Sequence, residues 1–155
     1  EALHRGKIDI PMVVIGNKTA YLKEVKELIN RYQLEKQVLF LHQVETTDLP
    51  AIYTMAQLFI YPSIFEGFGI PILEALCTST PVISSKGSCF EETGGKDSVY
   101  VHYDNPDEMA VAISNILEND ILKKNMQLNG LLHAEKFKDE VVVKDLMNVY
   151  QSILK

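Results

Sequence analysis

The chain lacks several features that mark particular classes of protein. It has only two cysteines, Cys77 and Cys89, and their spacing fits neither a metal site nor a disulfide framework. Fifteen basic residues against 21 acidic ones give a net charge of -6, so nucleic acid and anionic membranes are not expected as main partners. No apolar run approaches the roughly 20 residues that span a bilayer, and no secretory signal is present. We therefore expect a cytoplasmic protein with free thiols.

The composition that remains is that of an ordinary globular domain. Hydrophobic residues make up 46% of the 155 residues and charged residues 23%. No internal repeat, low-complexity stretch or linker divides the chain, so residues 1–155 are expected to form one domain. The chain opens with Glu1, Ala2, Leu3 and His4, which is typical of the end of a helix. This opening indicates a piece of a longer protein.

Short apolar blocks alternate with helical patterns along the first two thirds of the chain. The blocks, rich in Val, Ile and Phe, are typical of strands buried on both faces, and they lie at residues 12–15, 38–41, 58–61, 82–83 and 98–101. Apolar residues at helical spacing fill the intervals, and three further helices follow from Pro106 onward. This order predicts an α/β fold of the Rossmann-like type: a three-layer arrangement with a parallel sheet, helices on both of its faces, and additional C-terminal helices.

The segment after the third predicted strand has the features of an anion site. Ligands of open parallel sheets bind at the carboxyl ends of the strands, and residues 62–69 lie at such an end. A helix is predicted to begin near Ile70, with Pro71 in its first turn. Gly67 and Gly69 leave the unpaired N–H groups of that helix start accessible. The partial positive charge there favours an anion such as phosphate.

Two glutamates flank this predicted anion site. Glu66 lies in the loop, and Glu74 lies about one turn into the helix, where side chains lean back toward the N-terminus. Carboxylates accept hydrogen bonds from hydroxyl groups. A phosphate site between two hydroxyl acceptors indicates a nucleoside diphosphate sugar, with ribose at one end and a hexose at the other.

The same residues carry a resemblance to a known family. "YPSIFEGFGIPILEAL", residues 61–76, resembles the E-x7-E segment of retaining glycosyltransferases of family 4, which have the GT-B architecture of two Rossmann-like domains. Further similar segments are "VLFLHQV", "DLPAIY", "TPVISS" and "FEETGG". The resemblance extends over nearly the whole chain. It implies the C-terminal, donor-binding half of such an enzyme, without the first strand of that domain.

The resemblance implies a role for individual residues. Glu66 matches the first glutamate of the motif, the catalytic position that contacts the donor sugar, and Glu74 matches the second, which holds the ribose hydroxyls. The backbone that meets the sugar and the diphosphate belongs to Gly67, Phe68, Gly69 and Ile70. Val44, with Thr46 nearby, matches the position where the nucleobase is recognised.

The resemblance also has departures and gaps. His42 and Ser79 stand where the family often has glycine, and Ser79 lies in the turn before Pro81. The family's Arg and Lys that neutralise the leaving diphosphate lie upstream of residue 1. Lys18 is interpreted as a surface or helix-start lysine rather than their substitute.

The implied activity is transfer of a hexose from a nucleoside diphosphate sugar to an acceptor hydroxyl, with retention at the anomeric carbon. No metal or other cofactor is expected, and the sequence contains no Asp-x-Asp pair. The implied partners are the donor and the N-terminal acceptor domain of the same enzyme, with peripheral membrane association through the parent enzyme. The 155-residue piece alone is expected to bind nucleotide without turnover.

Two other classes compete with this interpretation. One is a non-catalytic α/β nucleotide-binding or interaction module. A receiver-like domain, as an example of that class, would need an acidic cluster and a phosphorylatable Asp at strand ends. The predicted strands end at or beside Gly16, His42, Tyr61 and Ser84, and none of these is Asp. A sugar-nucleotide epimerase would need catalytic carboxylates and a histidine in one cleft.

Overall fold

The computed structural model describes residues 1–154 and shows strands alternating with helices. The strands are β1 (Met12–Ile15), β2 (Val38–Leu41), β3 (Phe59–Tyr61), β4 (Val82–Ser85) and β5 (Val99–Val101). The helices are α1 (Ala2–Arg5), α2 (Leu22–Arg31), α3 (Leu49–Met55), α4 (Ile70–Cys77), α5 (Phe90–Gly94), α6 (Pro106–Glu118), α7 (Asp120–Ala134) and α8 (Asp139–Ile153). Short 3-10 helices cover Thr46–Asp48 and Glu135–Phe137. The predicted Rossmann-like α/β fold is confirmed.

The strands form two parallel sheets rather than the single sheet that was expected. Within the described residues β1 pairs with β2, and β3, β4 and β5 follow one another in a second sheet. Val13 lies opposite Leu39 in the first sheet, and Ile60 lies opposite Ile83 in the second. All pairings are parallel, so the carboxyl ends of the strands in each sheet point the same way.

Strand β4 is the centre of the core. All four of its residues are buried. Ile83 packs into a cluster with Val101 and Ile113 of α6, whereas Val82 packs into a second cluster with Leu76 of α4. Successive side chains of a strand point to opposite faces, so helices cover both faces of this sheet. Each fully buried Ile, Leu or Val contributes about 1.5–3 kcal/mol to folding.

The first cluster also joins the two sheets. Met12 of β1 and Ile60 of β3 both pack against the buried residues of that cluster, which include Leu3 of α1 and Met109 of α6. Helices α1 and α6 therefore support both sheets from one side. Residues of both sheets thus pack on the same hydrophobic cluster.

Asparagine side chains cap the two helices that follow the last strand. The side-chain oxygen of Asn105 accepts from the backbone N–H of Glu108 at 3.0 Å at the start of α6. The side-chain oxygen of Asn119 accepts from the backbone N–H of Leu122 at 2.9 Å at the start of α7. At the start of α3 the chain instead enters through the 3-10 helix that begins at Thr46.

The last helix lies outside the core. α8 contains no buried residue, although it carries many apolar side chains, among them Val142, Leu146 and Ile153, which are exposed. Among residues 1–154, no helix combines the length and hydrophobicity needed to cross a bilayer.

Candidate functional site

The candidate site lies where β3 ends and α4 begins. α4 starts at Ile70 with Pro71 in its first turn, as predicted. Gly69 precedes it with φ of +85°, a left-handed conformation that glycine adopts without steric cost. A Cβ atom built on Gly69 would also lie 3.3 Å from Cδ1 of Ile72. A glycine is therefore required at this position for the chain to enter the helix.

The loop before α4 is held by side chains from the β4–α5 region. The carbonyl oxygen of Glu66 accepts hydrogen bonds from Ser88 Oγ at 3.0 Å and from Cys89 Sγ at 3.4 Å. The carbonyl oxygen of Phe68 accepts from Thr93 Oγ1. Gly67 is exposed, and no atom lies within 4 Å of where its Cβ would be. The loop backbone is thus fixed at its carbonyls while the space above Gly67 stays open.

The Phe68 and Ile70 side chains have different surroundings. The ring of Phe68 packs edge-on against Phe137, with centroids 5.3 Å apart. The side chain of Ile70, in contrast, is exposed. Of the residues predicted to meet the sugar and the diphosphate through their backbone, Gly67 and Ile70 face open surface, and Phe68 anchors the loop to the segment after α7.

The carboxylate of Glu66 is oriented by two hydroxyl groups. Tyr61 Oη donates to Glu66 Oε1 at 2.7 Å, and Ser63 Oγ donates to the same oxygen at 2.9 Å. The hydrogen bond from Tyr61, followed by that from Ser63, lowers the pKa of Glu66 because both stabilise the charged form. Burial, with the adjacent carboxylate, raises the pKa of Tyr61 to about 12. At neutral pH the pair is a carboxylate that accepts from a neutral phenol.

The carboxylate of Glu74 has a similar partner. Tyr53 Oη donates to Glu74 Oε2 at 3.0 Å. The Tyr53 side chain is buried in the second core cluster. Burial and the bond to Glu74 raise the pKa of Tyr53, so its hydroxyl keeps its proton and remains a donor.

One row of aromatic rings connects the two glutamates. The ring of Phe59 lies edge-on to Tyr53 at 5.1 Å and is stacked with Tyr61 at 5.9 Å. Both glutamates are therefore tied by hydrogen bonds to neighbouring aromatic side chains of α3 and β3. The sequence had predicted Glu66 and Glu74 as site residues, but nothing in it marked Tyr53, Tyr61 or Ser63 as their partners.

The residues predicted to recognise a nucleobase follow β2. Val44 is half-buried in the segment between Leu41 and the 3-10 helix, and Thr46 is exposed at the start of that helix. Within residues 1–154, the hydroxyl of Thr46 forms no hydrogen bond with Glu66 or Glu74. Their role as nucleobase contacts stays a prediction.

Two surface depressions lie among helices α4, α5 and α7. One of about 480 Å³ is lined by α5 and α7 residues, including Glu91 and His133. A smaller one of about 210 Å³ includes Leu73 and Phe137. Neither is lined by Glu66 or Glu74. The part of the chain that the structure describes contains no cluster of three or more His, Cys, Asp or Glu side chains suited to a metal ion.

The fold is of the kind seen in solved glycosyltransferase structures. The chain superposes on Anabaena Alr3699/HepE, solved in complex with UDP, with a TM-score of 0.86 at 23% identity, covering 97% of this chain and 43% of that one. It superposes on the C-terminal domain of a glycosyl transferase group 1 family protein, LpcC of Francisella tularensis, with a TM-score of 0.79 at 25% identity, covering 89% of this chain and 76% of that one.

Sequence comparison identifies the family. The sequence profile described as "Glycosyl transferases group 1" matches residues 1–132. The O-antigen chain mannosyltransferase RfbU of Salmonella typhimurium is 35% identical over 105 residues, covering 68% of this chain and 30% of that protein. The chain belongs to the group 1 glycosyltransferases. It spans less than half the length of the curated relatives that it matches.

Proposed function

We propose that this chain is the donor-binding part of a longer retaining glycosyltransferase of family 4. The parent enzyme transfers a hexose from a nucleoside diphosphate sugar to an acceptor hydroxyl. The observation that carries the proposal is the pair of oriented carboxylates, Glu66 and Glu74, on either side of a glycine-led helix start. Each carboxylate can accept sugar hydroxyls, and the helix start favours the diphosphate between them.

The proposal assigns a role to each predicted residue. Glu66 is the catalytic residue that contacts the hexose, and Glu74 holds the ribose hydroxyls. At the helix start, the sugar and the diphosphate are bound by the backbone N–H groups of Gly67, Phe68, Gly69 and Ile70. Val44 and Thr46 contact the nucleobase. Neither a metal nor another cofactor is part of this scheme.

The division of the sheet supports the proposal that the chain is part of a GT-B enzyme. In the doubly wound strand order 3-2-1-4-5-6, removal of strand 1 leaves one pair and one group of three. The observed sheets, β1 with β2 and β3 with β4 and β5, have this pattern. We infer that a further parallel strand of the parent enzyme lies between β1 and β3. The parent's N-terminal acceptor domain, its cytoplasmic location and its peripheral membrane association belong to the same proposal.

Nucleotide titration tests the proposal. UDP, GDP and ADP are titrated separately into the 155-residue chain by isothermal calorimetry, and one of them is expected to bind with a Kd below about 1 mM. Glu74→Ala is expected to weaken that binding about ten- to a hundredfold, because the lost charged hydrogen bonds are worth roughly 1.5–3 kcal/mol. No turnover is expected from the isolated chain, since the basic residues for the leaving diphosphate lie elsewhere in the parent.

The matched control is Glu27→Ala, which removes the same charge from an exposed position in α2. It is expected to leave the affinity unchanged. If none of the three nucleotides shows binding at millimolar concentration, the proposal is contradicted. An equal loss of affinity in both variants would show that net charge, rather than the Glu74 carboxylate, determines binding.

A further inference from the structure

We propose that Tyr61 and Tyr53 are positioning residues of the donor site: each holds one oxygen of a glutamate and leaves the other oxygen for a hydroxyl group of the donor. Tyr61 positions Glu66 toward the hexose, and Tyr53 positions Glu74 toward the ribose. This inference rests on the proposed function. To that function it adds the two residues that set the direction of the carboxylates.

Glu66 shows the first half of this arrangement. Its Oε1 atom accepts from both Tyr61 and Ser63. Within residues 1–154, its Oε2 atom accepts from no side chain or backbone group. Two donors on one oxygen restrain the carboxylate and leave the second oxygen free to accept from a ligand. A hydroxyl of a bound sugar then meets an acceptor that is already oriented, which lowers the entropy cost of binding.

Glu74 shows the second half. Tyr53 donates to Oε2, and the Oε1 atom of Glu74 has no hydrogen-bond partner in the part of the chain that the structure describes. Tyr53 itself is held firmly, since its side chain is 8% exposed and its backbone carbonyl accepts from the buried Thr80 Oγ1 at 2.8 Å. A rigid donor beneath the helix thus fixes the free oxygen of Glu74.

Phe59 makes the two positioning residues a single unit. Its ring lies between Tyr53 and Tyr61, and Tyr61 also packs edge-on against the fully buried Phe90, with centroids 6.5 Å apart. Closely packed rings in a core move little relative to one another. The separation of the two free carboxylate oxygens is therefore set by packing between α3, β3 and α5.

Tyrosine-to-phenylalanine variants test this proposal because they keep the ring and remove only the hydroxyl. The probes are the nucleoside diphosphate that binds best among UDP, GDP and ADP, its glucose and mannose esters, and its 2′,3′-dideoxy form. Tyr61→Phe is expected to weaken binding of the preferred sugar ester about three- to tenfold and to leave the free nucleotide within twofold. Tyr53→Phe is expected to weaken the free nucleotide by a similar factor and to leave the dideoxy form unchanged.

Three further variants make the result specific. Tyr100→Phe is the control, since Tyr100 is a half-buried tyrosine whose hydroxyl donates to the carbonyls of Gly95 and Phe90 and to neither glutamate. It is expected to leave the affinity for all four kinds of probe unchanged. In a Glu66→Gln background, Tyr61→Phe is expected to add less than twofold, because the oriented carboxylate is already lost. Ser63→Ala repeats the Tyr61 test at a half-buried residue that donates to the same carboxylate oxygen, and it is expected to give a smaller loss of the same kind.

The outcomes separate this inference from the proposed function. If the unsubstituted chain binds no probe, both fail. If it binds but the tyrosine variants change no affinity, or lower all affinities equally, the tyrosines only support the fold and the positioning role is overturned. A loss confined to the sugar ester in one variant and to the ribose hydroxyls in the other supports it.

Discussion

Replacing Ser79 by glycine is expected to stabilise the protein. Ser79 follows the end of α4 with φ of +56°. The N–H of Ser79 donates to the carbonyl of Leu76 at 3.0 Å, and the N–H of Thr80 donates to that of Ala75 at 2.9 Å. These two bonds form a Schellman motif, in which the residue at the Ser79 position is usually glycine. The family resemblance likewise predicts glycine at this position.

The size of the effect follows from two opposing terms. A residue with a side chain in the left-handed conformation costs about 1–2 kcal/mol, and glycine loses about 0.5–1 kcal/mol more backbone entropy on folding. Ser79→Gly should therefore raise the free energy of unfolding by about 0.5–1 kcal/mol. For a chain of this size, that corresponds to a rise in Tm of about 1–4 °C.

Urea and thermal unfolding followed by circular dichroism measure this difference. Ser79→Ala is the matched control, because alanine removes the hydroxyl but keeps the Cβ atom. It is expected to change the free energy of unfolding by less than about 0.5 kcal/mol. A glycine variant that is no more stable than the alanine variant would refute the claim that the left-handed backbone is strained here.

Two other changes probe the packing around the site and the end of the chain. Gly94→Ala is expected to lower the free energy of unfolding, measured with denaturant, by about 1–3 kcal/mol, because the new Cβ atom would lie 2.5 Å from Tyr100 Oη. Gly16→Ala is the control and should be tolerated, since no atom lies within 4 Å of the Cβ position there. Equal stability of the two variants would contradict this prediction. Removing residues 139–155 is expected to leave the Tm of the remainder within about 2 °C, since α8 buries no side chain, and a larger loss would show that α8 supports the core.

Much of the fold was predictable because its strands are short and continuously apolar. Strands β1 and β2 have the predicted bounds. Strand β4 extends two residues beyond its predicted end, to Ser84 and Ser85, which are buried. Ser84 satisfies its hydroxyl by donating to the carbonyl of Tyr61. A pattern of hydrophobicity cannot reveal polar residues that are buried with a partner on another strand.

Contacts between residues that are distant in sequence also limit what could be predicted about the candidate site. The positions of Glu66 and Glu74 relative to the glycines are local in sequence, so the loop and the helix start were predicted correctly. The link from Tyr53 to Glu74 joins residues 21 positions apart, and it depends on how α3 packs beside α4. The division of the sheet was missed because strand neighbours are set by topology, not by the composition of each strand.

The unpaired flanks of β1 and β3 have a practical consequence. Each presents backbone N–H and C=O groups without a ladder partner within residues 1–154, and such flanks are templates for strand addition. A synthetic peptide with the sequence of the strand inferred between them should pair with both at once and join the two sheets. The isolated chain would then serve as a host for complementation, in which the added peptide restores a continuous sheet.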